Sequence, residues 1–147
     1  LYSVRFDGSS LTLLDPGNAH HNSILSSTNQ VLVDNTSRID EGPTSVLRDS
    51  SGRQIMALEV CDLTRLKETG WKLPTTFTVK AADGVTKLYG NIWVPFDMDP
   101  SKKYPIIANV YPGPQTEGVT HTFSTYSSMS QMATTINNPH IILGRRP

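Results

Sequence analysis

The chain of 147 residues has the length of one average domain or of parts of two, and its 13 basic and 13 acidic residues cancel. No basic stripe interrupts the mixture, so electrostatics gives no reason to expect nucleic acid or an anionic membrane as a partner. The single cysteine, Cys61, excludes an internal disulfide, and without a CxxC, HExxH or Cys/His cluster neither a metal nor another cofactor is expected.

Charged residues make up 18% of the chain, a low share that Ser, Thr and Asn fill, as in a protein of strands and turns. The longest apolar stretches, such as 106–110 and 141–143, are far too short to span a bilayer. Cys61 reads as a buried small hydrophobe. The chain starts at Leu1, directly in a strand-like segment, and is expected to be a piece of a longer protein.

In chain order, "LYSVRFDGSSLTLL" places two apolar runs around an Asp-Gly turn, the pattern of a β-hairpin. His20 and His21 fall in what reads as a polar loop, with no third residue apparent that would make them metal ligands. "NSILSS" and "QVLVDNTSR" are short strands around Thr28 and Asn29, and "TSVLRDSSGRQIMAL" repeats strand, turn, strand. Short strands at such regular spacing point to a sandwich, a barrel or a propeller blade. A blade is one sheet, unable to bury both of its faces alone.

The pattern changes at Asp62. "DLTRLKETG" offers Asp62 as an N-cap, Leu63 and Leu66 on one helical face, and Gly70 as a stop. A boundary is therefore expected over 63–75. Beyond it, "TTFTVKAADGVTKLYGNIWVP" is another hairpin, turning at Asp83 and Gly84. Neither Asp-Gly pair carries the repeated acidic spacing of a calcium loop, so both read as turns.

"YPIIANVY" is nearly continuous Ile, Ala and Val, the pattern of a strand buried on both faces. It ends at Tyr111, and Pro112, Gly113 and Pro114 then restrict the loop, one way to hold a side chain at the mouth of a site. "FSTYSSMSQMATTI" carries a weak helical spacing and "HIILG" reads as a second buried strand. Hairpin, buried strand, helix and buried strand form the opening of an α/β sheet. The fold expected is therefore mixed, all-β first and α/β after.

The run from "LYSVRFDGSSLTLL" through "VLRDSSGRQIMALE", "FTVKAADGVTKLYGNIWVP", "DPSKKYPIIANVYPGPQ" and "IILGRRP" resembles the prolyl oligopeptidase family, above all its dipeptidyl peptidase IV branch with the bacterial dipeptidyl aminopeptidases. The resemblance implies residues 1–62 as the last blade of a β-propeller, 63–75 as an interdomain segment, and 76–147 as the incomplete start of an α/β-hydrolase domain. It implies that Tyr111 donates its hydroxyl to the oxyanion of the tetrahedral intermediate, where losing one donor costs roughly 3–4 kcal/mol. It further implies a serine peptidase parent that takes peptide substrates and removes N-terminal dipeptides with Pro or Ala second. A homodimeric parent and a periplasmic or secreted location belong to the same analogy.

The chain itself lacks G-x-S-x-G, and His20, His21, His121 and His140 all precede where that serine would stand, so none is expected as the triad base. The ending "GRRP" departs from the family's glycine-rich "GRG". On the sequence, a non-catalytic β-rich binding module on the same scaffold, or another acyl hydrolase or endopeptidase of the superfamily, stay open as alternatives.

Overall fold

Alternation sets the largest element. In a computed structural model, which describes residues 1–106, 108, 119 and 121–124, four consecutive strands form one antiparallel sheet in the order β3-β4-β5-β6. They are β3 (His20–Leu25), β4 (Val31–Arg38), β5 (Glu41–Asp49) and β6 (Gln54–Val60). Ahead of them β1 (Tyr2–Ser3) pairs with β2 (Thr12–Leu13), a hairpin with strands of only 2 residues each. The described structure is thus mostly β-sheet with one short helix, and the four-stranded meander is compatible with a propeller blade.

The chain divides into two compact units, one of Leu1–Asp62 with His121–Phe123, the other beginning at Leu63. In the first unit the core is thin: among the described residues only Leu14, Leu32 and Ile39 are buried hydrophobics. Register explains what each face carries, since residues directly opposite across a pair share a face. Ile24, Val33, Leu47 and Met56 lie opposite one another in turn and make an apolar row across all four strands. The other face carries Ser23, Asp34, Val46 and Ala57 in one row, beside Leu25, Leu32, Arg48 and Gln54 in the next.

Side chains close the turns locally. Asp7, Asp49 and Asp99 each accept from the backbone N–H and the hydroxyl of the serine two positions on, with N–H distances of 2.9 Å in all three. The hydroxyl of Ser51 is the main reason the Asp49 carboxyl is depressed to about 2, against the opposing pull of burial and with help from Arg53. Gly52, at φ 86°, completes the β5–β6 turn where the backbone of Leu14 would stand 2.8 Å from any Cβ. No other residue meets both demands. Along β6, register shifts relative to β5 leave Ile55 and Leu58 without a counterpart, so this edge strand is bulged twice.

The second unit opens with α1 (Thr64–Glu68), followed by the hairpin of β7 (Thr75–Lys80) and β8 (Lys87–Ile92). The helix starts one residue later than expected. Leu63, rather than Asp62, occupies the N-cap position, and it offers no side-chain cap. Gly70, at φ 85°, stops it as expected, donating to the Lys67 carbonyl. At the hairpin tip Asp83 accepts from the Val85 and Thr86 N–H groups, both at 2.9 Å, and Gly84 takes φ 69°.

Two further expectations change. Cys61 is exposed, because it follows β6, the edge strand, whose residues are exposed throughout. In "YPIIANVY" the described residues Tyr104, Pro105, Ile106 and Ala108 lie outside any strand, and Ile106 is 89% exposed. A strand needs a neighbour to satisfy its backbone, and no described strand pairs with this segment. The Tyr104 hydroxyl instead accepts from the Asp99 N–H at 2.9 Å. The remainder of that run, the helix expected over 123–136 apart from its first two residues, and the strand at 140–144 lie outside the described residues.

Candidate functional site

The densest chemistry among the described residues sits on the polar face of the four-stranded sheet. Asp34 follows Leu32 by two positions on β4, so strand period 2 carries it to the same buried face, where it is 0% exposed. A carboxylate so placed requires partners. Arg48 on β5 supplies one, with Nε 2.9 Å from Asp34 Oδ2, and reaches on through Nη1 to the Gly52 carbonyl at 3.2 Å. His21 on β3 supplies another, with Nδ1 2.8 Å from Asp34 Oδ1.

The network extends beyond this ion pair. His21 Nε2 faces the Gly17 carbonyl at 3.3 Å. Ser23 Oγ donates to Asp15 Oδ2 at 2.7 Å and approaches Asp34 Oδ1 at 3.4 Å. Burial pushes the Asp15 carboxyl up, and the hydrogen bond from the Ser23 hydroxyl pulls it down. Among the described residues no buried side-chain nitrogen or oxygen is left without a hydrogen bond.

This placement corrects the reading of the histidines. His20 and His21 belong to β3, opposite Ser37 and Thr36, and alternate between the two faces. The polar residues that suggested a loop are polar because one face carries this network.

Serine, histidine and aspartate together invite comparison with a catalytic triad, and the geometry rules it out. A triad requires the serine hydroxyl on the histidine nitrogen that points away from the acid. Here that nitrogen faces a backbone carbonyl and Ser23 donates to carboxylates. The same cluster brings together three side chains of metal-ligating type that the sequence did not reveal as neighbours: donor atoms of Asp15, His21 and Asp34 lie within 4.8 Å of one another. Those atoms are engaged by Arg48 and Ser23, and a guanidinium beside the central carboxylate occupies the place a cation would take. The arrangement is an internal ion-pair network that ties three strands and two turns together.

Elsewhere in the first unit, Glu41 lies 3.7 Å from Arg38, whose guanidinium clasps Asp40 at 2.8 Å on two nitrogens. That clasp holds the Asp40 carboxyl below its usual range. Trp71 and Trp93 are half-buried. Tyr111 and His140, weighed on sequence, lie outside the described residues.

No family model matches the chain. Among curated proteins it is similar to dipeptidyl peptidase 8 of Mus musculus and of Homo sapiens, a member of the prolyl oligopeptidase family, at 33% identity over 73 residues. The match covers 44% of this chain and 8% of either relative. The likeness reaches the family level at most and does not single out the bacterial dipeptidyl peptidase IV branch. Among the described residues no helix is long and apolar enough to cross a membrane.

Proposed function

We propose that this chain is part of a serine peptidase of the prolyl oligopeptidase family that removes N-terminal dipeptides with Pro or Ala in the second position. Residues 1–62 form the last propeller blade, 63–75 the connection, and 76–147 the start of an α/β-hydrolase domain. The observation that carries this reading is the likeness to dipeptidyl peptidase 8 over 73 residues. The four-stranded antiparallel meander and the division of the chain after Asp62 support it.

In this reading the chain supplies scaffold and one catalytic group. Tyr111 donates its hydroxyl to the oxyanion that forms when the serine, borne elsewhere in the whole protein, attacks the scissile carbonyl. The negative charge exists only in the transition state, so the bond lowers the barrier without tightening substrate binding. A rigid ring with a polar tip suits the task.

The test is Tyr111→Phe in the full-length protein, assayed on a chromogenic Xaa-Pro substrate. Removing one donor is expected to lower kcat by roughly 100- to 1000-fold with KM little changed. Full activity in the folded variant would remove Tyr111 from the reaction. No activity in the unmutated full-length protein, with no serine in a G-x-S-x-G elbow, would leave a binding module on the family's scaffold.

A further inference from the structure

We draw no further inference here: the strongest candidate, the apolar row of Ile24, Val33, Leu47 and Met56 across one face of the four-stranded sheet, is an unpartnered face with nothing in the structure to show what covers it.

Discussion

Asp34 shows how one residue can decide the stability of a sheet. Its carboxylate is fully buried and lies between Arg48 and His21. Breaking a buried pair strands the remaining charge, which costs about 3–5 kcal/mol. Arg48→Met should therefore lower unfolding stability by about that amount, read from the urea midpoint. His21→Gln leaves the guanidinium in place and should cost less, about 1–3 kcal/mol. Equal losses in the two variants would mean that Arg48 is not the principal partner. Asp49 behaves differently, since its partners lie in an exposed turn. Its folded carboxyl sits at about 2 against an ordinary 3.8, so the charged form is the one the fold favours. The contribution is complete above the ordinary value and is lost as pH falls toward 2. A carboxyl-carbon NMR titration should place the Asp49 midpoint near 2, and a midpoint near 4 would show that the Ser51 and Arg53 bonds do not persist in solution.

Turns and strands were legible to different degrees, and the element scale shows why. The β5–β6 and β7–β8 turns could be read from Asp, Ser and Gly because the bonds that make them lie within four residues. The helix stop at Gly70 was legible for the same reason, whereas its start was not: Asp62 has the chemistry of a cap, yet Leu63 takes the N-cap position. The ion-pair network stayed hidden because His21 and Arg48 are 13 and 14 residues from Asp34. Only strand register brings them together. One signal was available, a carboxylate in the apolar phase of "VLVD", two positions after a buried leucine. Two glycines give a test of turn chemistry at this scale. Gly84 takes φ 69° in open space, while Gly52 takes φ 86° against the backbone of Leu14. Asparagine adopts positive φ more readily than most residues, so Gly84→Asn should cost well under about 1 kcal/mol. Gly52→Asn should cost at least about 2 kcal/mol, because the turn must move away from Leu14. Matching melting temperatures for the two variants would refute the close approach at Gly52.

For the molecule as a whole, the chain spans 8% of the length of the curated relatives it matches, and several of its exposed faces are apolar. Ile24 and Met56 are 60% and 51% exposed at the ends of the apolar row. In the second unit Phe77, Val79, Leu88 and Ile92 share one uncovered face of the hairpin. A two-stranded hairpin is marginal in water, and apolar faces of this kind associate. The purified chain should elute as more than a monomer, with mass measured by light scattering. A monodisperse monomer with strong amide protection through β7 and β8 would count against this.

The strand order of the larger sheet has a consequence for how the chain acquires its shape. Every pairing in β3-β4-β5-β6 joins strands that are neighbours in sequence. Closing such short loops costs little entropy, and single hairpins form within about 1–10 μs, far faster than a ribosome adds a residue at about 5–20 per second. The sheet can therefore assemble strand by strand as the chain emerges. Asp34 emerges well before Arg48, so a nascent hairpin of β3 and β4 places the carboxylate beside His21 and Ser23 before β5 arrives with the guanidinium.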